Sequence, residues 1–258
     1  MTVVEIACDE SGYEGEKLVG GVTDVFAHAA VTLDEDAAAR CIAELRERIR
    51  SPATEYKANH VLRSKHRPVL LWLMGSSGPL FGRAQVYLVD KAFFLVSRLA
   101  GVLADGNVSA NDLYAAGRRT GGSGWDAFLA RANDLLRAKD PIPPLDPLLP
   151  AIVRAVEYWG GSGQPVSIAH DRQTTLSDER IKRLKELTPP GALVGIELVE
   201  SFSHPRVQVA DFLAGVARKI ASDQLRGNDD PELTALLRPY VDPLSVWGDA
   251  ASWARLAP

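Results

Sequence analysis

Cysteine is scarce in this sequence, since Cys8 and Cys41 are the only two in 258 residues. Neither belongs to a Cys-x-x-Cys pair or to a mixed Cys and His spacing, so the sequence supports neither a zinc finger nor a disulfide framework. It also lacks the patterns Gly-x-x-x-x-Gly-Lys-Ser/Thr, Gly-x-Gly-x-x-Gly, His-Glu-x-x-His and Gly-x-Ser-x-Gly. Without them, nucleotide-driven enzymes, zinc proteases and serine hydrolases lose their main support.

Long apolar runs and an excess of basic residues are lacking too. The longest apolar run, from Pro68 to Met74, is far shorter than the roughly 20 residues that span a bilayer. No basic segment precedes the first apolar stretch, which predicts a cytoplasmic protein without a membrane partner. With 29 Lys and Arg against 33 Asp and Glu, the net charge is −4. Any contact with nucleic acid must therefore come from a local basic patch.

Apolar runs typical of strands alternate along the chain with patterns typical of helices. The strands are predicted at 3–8, 25–33, 82–90, 165–169 and 193–199, and the main helices at 34–50, 66–74, 92–104, 177–188 and 207–224. This order predicts an α/β sheet with crossover helices. Gly- and Pro-rich stretches between residues 107 and 163 predict a helical insertion in a single domain of residues 1–258.

Two acidic residues are predicted at the ends of apolar strands. Asp9, with Glu10 next to it, follows the first strand, and Asp171 follows His170 after the fourth. Because ligands commonly bind beyond the carboxyl ends of strands in α/β sheets, both are candidate site residues. The alternative is that each Asp only opens a turn, where Asp is favoured.

Asp211 lies in a helix that is apolar almost all round. Gln208, Asp211, Phe212 and Gly215 are spaced along one face of this helix. A buried carboxylate needs a partner or a metal to offset the cost of its desolvation. The alternative is an acid stabilised by the positive end of the helix dipole.

The segment around Glu55 and Lys57 is polar. If it folds back toward Asp9, Glu55 would bridge two metal ions, and Lys57 would hold a phosphate or orient the attacking water. A solvated surface pair is the alternative. His170 and His204 would carry protons or only pack as neighbours. Arg172, Arg206, Arg218 and Lys219 would contact phosphates or form a solvated surface.

Carboxylate oxygens in this number favour Mg²⁺ or Mn²⁺ as the metal cofactor. A pair of such ions can activate water and stabilise the leaving oxygen of a phosphodiester. The sequence therefore predicts a metal site of Asp9, Glu10, Glu55, Asp171 and Asp211.

Three segments in order along the chain resemble the domain of unknown function 3800 family. They are Asp9 to Gly12, Glu55 to Lys57, and Gln208 to Gly215. That family is similar to the ribonuclease H-like fold, whose nucleases and transposases use acids of the first strand, a fourth strand and a C-terminal helix around two metal ions. The resemblance implies a mixed sheet flanked by helices. It further implies Asp9, Asp171 and Asp211 as the catalytic residues, with Glu10, Glu55 and Gln208 supporting them. Glu55 and Lys57 are added to the predicted catalytic residues, and Ser11, His170 and Glu200 to the predicted supporting residues.

The function expected from the sequence is metal-dependent cleavage of DNA or RNA. Two alternatives stay open. The first is a non-catalytic module that binds a partner protein, or a second copy of the chain, through the insertion. The second is an enzyme that hydrolyses a small nucleotide.

Overall fold

The strands are built from the apolar runs of the sequence. A computed structural model of the protein describes residues 2–50, 58–103, 108–138, 145–161 and 163–258. In these ranges, five strands form one sheet: β1 (Val4–Ser11), β2 (Val25–Val31), β3 (Ala84–Asp90), β4 (Val166–Asp171) and β5 (Leu193–Val199). Every residue of β2 and β3 is buried, as expected of strands covered on both faces.

Helices occupy most of the remaining described chain. They are α1 (Glu35–Ile49), α2 (Ala58–Val61), α3 (Arg67–Met74), α4 (Lys91–Val102), α5 (Ala110–Thr120), α6 (Gly122–Arg137), α7 (Leu148–Gly160), α8 (Asp178–Leu187), α9 (Pro205–Arg226), α10 (Pro231–Leu237) and α11 (Ala250–Leu256). The mixed α/β class, with a sheet flanked by helices, is confirmed. None of the described helices is long and apolar enough to cross a membrane.

The sheet has the strand order β3-β2-β1-β4-β5. β1 pairs antiparallel with β2, which pairs antiparallel with β3, whereas β4 runs parallel to both β1 and β5. The carboxyl ends of β1, β3, β4 and β5 therefore lie along the same edge of the sheet, which we call the carboxyl edge. Ala7 pairs with Ala169 and Cys8 with His170. Asp9 and Asp171, the next residues of the two strands, therefore lie side by side at this edge.

The two faces of the sheet carry separate hydrophobic cores. Alternate residues of β1, such as Ala7, face a core formed with α1, α3 and α9. The intervening residues, such as Cys8, face a core formed with α4, α6, α7 and α8. Because strand side chains alternate between faces, Asp9 lies on the α9 face and Glu10 on the α7 face.

The helix α9 crosses the first face of the sheet and is buried over most of its length. It begins at Pro205, two residues earlier than predicted, because proline is well suited to the first turn of a helix. It ends at Arg226 and is capped by Gly227, whose φ of 75° is the left-handed conformation that closes helices. α9 packs against β1 and β2, which brings Asp211 toward the carboxyl edge.

The described residues between 107 and 163 are largely helical. α5 and α6 pack against α4, whereas α7 packs against the sheet itself. Leu148, Ile152 and Val156 of α7 are almost fully buried there. α7 thus belongs to the layer that covers the sheet, while α5 and α6 form an outer pair. That this whole region is an insertion stays a prediction.

Candidate active site

Asp9 lies inside β1 rather than in a turn after it. The sequence predicts a strand end at Cys8, but Glu10 pairs with His28 and Ser11 with Ala27, so the strand continues past the acid. Asp9 is only 5% exposed, and its Oδ1 accepts a hydrogen bond of 2.7 Å from the backbone N–H of Glu10. A carboxylate in this position is largely removed from water.

Asp171 and Asp211 both lie close enough to Asp9 for their charges to act on it. Burial raises the pKa of Asp9 well above its usual value, and the charges of Glu10, Asp211 and Asp171 raise it further. Asp211 is half-buried on α9 and Asp171 half-buried at the end of β4. The fold therefore brings together three acids that are 40 to 202 residues apart in sequence.

Asp171 is held by the chain that follows β5. Its Oδ1 accepts a hydrogen bond of 3.0 Å from the backbone N–H of Ser201. Ser201 begins a short 3-10 helix, Ser201–Ser203, which connects β5 to α9. The same loop therefore orients Asp171 and leads into the helix that carries Asp211.

Glu10 lies in a buried polar cluster on the α7 face. Gln173 donates a hydrogen bond to its Oε1, while its Oε2 lies 3.7 Å from His170 Nε2. Glu10 Oε2, His170 Nε2 and His28 Nε2 are buried without a hydrogen-bond partner. Burial raises the pKa of Glu10 to about 8 and lowers the pKa of both His170 and His28. The neutral forms of all three groups are therefore favoured.

Sequence reasoning did not identify His28 and Gln173 as part of this cluster. The ring of His28 lies 5.5 Å from that of His170, centre to centre. The sequence contains one signal for His28, because it is the polar residue of an otherwise apolar strand. Gln173 follows β4 with no comparable signal.

Arg218 of α9 contacts the end of β1 on the α9 face. Arg218 Nε donates a hydrogen bond of 2.9 Å to Ser11 Oγ, and burial lowers its pKa from the usual value. A Cβ on Gly12, whose φ is 82°, would lie 2.7 Å from Arg218 Cδ and 2.3 Å from the carbonyl oxygen of Val25. Gly12 therefore allows the close approach of the arginine to the end of β1.

Two of the predicted supporting residues lie on the rim. Gln208 Nε2 donates to the carbonyl of Phe202 over 2.9 Å. Glu200 pairs with Arg172 over 2.6 Å, but both side chains are more than half exposed, so their pairing contributes little to stability. Arg206 pairs with Glu5 over 3.3 Å, and Glu5 lies at the opposite end of β1 from Asp9.

Glu55 and Lys57, which the sequence predicts as catalytic, lie outside the described residues. The described chain resumes at Ala58, which packs against α9. A Cβ on Gly215 would lie 2.3 Å from Ala58 Cβ and 4.0 Å from Ser11 Oγ. Ala58 is thus one helical turn from Asp211, next to the acidic site.

The acids have the right chemistry for a divalent cation. In the described ranges, no group of three or more His, Cys, Asp and Glu side chains is already gathered so that it could hold a metal ion. Burial and the negative charges of its neighbours raise the pKa of Asp9, and a bound cation would offset both effects. Carboxylate oxygens are also the donors that Mg²⁺ and Mn²⁺ prefer.

Comparisons with known proteins give little further information. The chain matches no family model and no curated protein. One similar solved structure is that of the PCNA:RNase HII complex from Archaeoglobus fulgidus, with a TM-score of 0.40 and 14% identity over 88% of this chain and 79% of that one. This likeness is too weak to establish a fold family.

Proposed function

We propose that the protein is a metal-dependent nuclease with a ribonuclease H-like domain, which hydrolyses phosphodiester bonds of DNA or RNA at the carboxyl edge. The observation that carries the proposal is the convergence of Asp9, Asp171 and Asp211. They come from the first strand, the fourth strand and a late helix, and the charges of Asp171 and Asp211 both act on Asp9. This is the arrangement that the family resemblance implies.

Asp9, Asp171 and Asp211 would hold the metal, and Glu55 is a predicted further member of this shell. Glu10, which the sequence also predicts as a ligand, lies on the opposite face of the sheet with Gln173 and His170 and would instead support the strand ends. When bound, a pair of Mg²⁺ or Mn²⁺ ions supplies activation of water and stabilisation of the leaving oxygen. Charge is the reason for assigning the ions to this place. A buried carboxylate surrounded by other carboxylates is costly unless a cation or a proton neutralises it.

The protein's own groups would fix the acids and the substrate. The backbone N–H of Ser201 orients the Asp171 carboxylate. Arg218, fixed by Ser11, would present its guanidinium at the end of β1 for binding a phosphate oxygen. On the other face, the bond from Gln173 to Glu10 ties the chain after β4 to the end of β1, which keeps the two strand ends in register.

Nucleic acid is the proposed partner even though the net charge is −4. Local cations beside the acids would contact the backbone, and Arg218, Lys219 and Arg172 are the candidates. Few phosphate contacts imply a shallow dependence of affinity on salt. A steep dependence would require many more basic contacts than this edge provides.

Substitution of Asp9 tests the proposal. In Mn²⁺ buffer, Asp9→Asn should lower the rate of oligonucleotide cleavage more than about a hundredfold, because a direct ligand matters more than the groups behind it. Glu197→Gln, which changes an exposed acid of β5, is the matched control and should cleave at the wild-type rate. Circular dichroism checks the fold of both variants.

The same assay separates the alternatives. Full activity of Asp9→Asn would contradict the assignment of the site. Cleavage of mononucleotides but not of oligonucleotides would indicate a small-molecule hydrolase. Absence of any metal-dependent cleavage by the wild-type protein would favour the protein-binding module.

A further inference from the structure

A cavity of about 430 Å³ opens near the end of β3 and the start of β2. Its walls include the loop of residues 18–24, the start of α4, one side of α5 and α6, and the end of α9. Val25 pairs with Asp90 and Ala27 with Ser11, so this loop and the start of α4 adjoin the carboxyl edge. We call this cavity the loop pocket. Its volume is in the range of small-molecule sites.

Arg218 connects the loop pocket to the acids. It bonds to Ser11, which lies two residues, or roughly 7 Å, beyond Asp9 along β1. The position of a Cβ on Gly12 would be within 3.3 Å of both Arg218 Cδ and Thr23 Oγ1. Since Thr23 lines the loop pocket, Arg218 lies close both to the wall of the pocket and to the end of β1.

The wall of the loop pocket combines an aromatic surface with fixed polar groups. The indole of Trp125 is half-buried in it. Lys91, only 1% exposed, donates to Thr23 Oγ1 over 2.6 Å and to Glu14 over 3.1 Å. Tyr114 donates to Asp90. These contacts fix the polar groups before any ligand enters.

The charges of the lining suit a neutral ligand better than a free anion. Acidic and basic residues are balanced in it: Asp24, Asp90 and Asp126, with Lys91, Arg118 and Arg226. A flat ring with hydrogen-bond donors and acceptors on its edge would use both signs. Val22, an apolar residue of this lining, is 90% exposed.

We propose that the loop pocket binds the base of a nucleotide adjacent to the cleaved linkage, while Arg218 holds that nucleotide's phosphate. This inference rests on the proposed nuclease function for its choice of ligand. It makes the substrate a single strand, at least locally, because a base paired in a duplex could not enter the pocket. Base-aromatic stacking of this kind tolerates many sequences.

Binding measurements without metal test the pocket apart from cleavage. A hexanucleotide and the same backbone without bases are titrated into the protein in EDTA by calorimetry. The wild-type protein should bind the intact oligomer roughly 5- to 150-fold more tightly than the oligomer without bases, as expected for one stacked base. We call this ratio of affinities the base-dependent ratio. In Val22→Glu this ratio should fall to near one, while the control Val194→Glu, an exposed valine of β5, should keep it. Trp125→Leu is a second variant that should also lose the ratio.

Each result decides one of the two proposals. A wild-type ratio near one, no binding of either oligomer, or an unchanged ratio in Val22→Glu and Trp125→Leu would overturn the pocket. Cleavage in Mn²⁺ without a base-dependent ratio leaves the nuclease and removes the pocket. A base-dependent ratio without cleavage leaves the pocket and removes the nuclease.

Discussion

Two adjacent carboxylates of β1, those of Asp9 and Glu10, are buried on different faces of the sheet. Asp9 and Glu10 are neighbours in β1, but their side chains lie on opposite faces, one with Asp171 and Asp211 and the other with His170 and Gln173. Negative charges raise the pKa of both acids, but the direct side-chain contacts of Glu10 are with Gln173 and His170. Two adjacent acids therefore have different expected roles, as a ligand and as a support of the strand ends.

The pH dependence of stability tests the environment of Glu10. The folded protein holds the Glu10 proton up to a pKa of about 8, against 4.5 for an exposed glutamate. The folded state therefore binds more protons than the unfolded state between these values, so this contribution is fully present below pH 4.5 and is lost as pH rises through 8. In EDTA, Glu10→Gln should lower the pH dependence of the unfolding free energy by roughly a few kcal/mol.

Urea unfolding at pH 5 and pH 8 provides the measurement. Glu44→Gln, an acid on the exposed surface of α1, is the control and should keep the wild-type dependence. If Glu10→Gln loses as much stability between the two pH values as the wild-type protein, Glu10 is not the buried group described here.

At the level of elements, the sequence predicts most strands and helices because their hydrophobic patterns are local. β5 has the predicted bounds, and Ser177 caps α8 as expected, its hydroxyl accepting from the N–H of Arg180. β1 was predicted too short because Asp9, Glu10 and Ser11 are polar residues typical of turns. Their pairing with β2 keeps them extended, and that pairing depends on the register of a distant segment.

The site could be predicted only in part for the same reason. Asp211 was identifiable because a carboxylate in an apolar helix needs an explanation. The contacts of Glu10 with His170 and Gln173 depend on how β1, β2 and β4 align, which no local pattern encodes. The loop pocket likewise forms from segments more than 200 residues apart, Leu18 and Arg226 among them.

The close contact of α9 with α2 predicts the effect of enlarging Gly215. A Cβ there would lie 2.3 Å from Ala58 Cβ, and a short rigid side chain cannot move aside. Gly215→Val should therefore destabilise the protein by about 1–3 kcal/mol through overpacking. Gly101→Ala in α4, where a Cβ meets nothing within 4 Å, should instead stabilise it by up to about 1 kcal/mol.

Thermal unfolding of both variants checks this contact. Because Gly215 lies one turn from Asp211, Gly215→Val should also reduce cleavage, whereas Gly101→Ala should leave it unchanged. Wild-type stability of Gly215→Val would contradict the close packing of α2 on α9.

In the molecule as a whole, the carboxyl edge joins both hydrophobic layers. The proposed metal ligands lie on the α9 face, the cluster of Glu10, His28 and His170 on the α7 face, and the loop pocket at the end of β3 and the start of β2. The fold thus places acid, cation and aromatic surface along one edge of the sheet. Under the proposed function, these local groups would hold a strand of nucleic acid at this edge although the net charge of the protein is negative.

The position of bound metal is the most direct test of this account. Crystals soaked in Mn²⁺ would be measured for anomalous scattering at the manganese edge. We expect a peak roughly 2.0–2.6 Å from carboxylate oxygens of Asp9, Asp171 and Asp211, the range of oxygen ligands for hard cations. Crystals of Asp9→Asn should lose it. Anomalous density elsewhere, or none at these three acids in millimolar Mn²⁺, would contradict the metal site on which the proposed function rests.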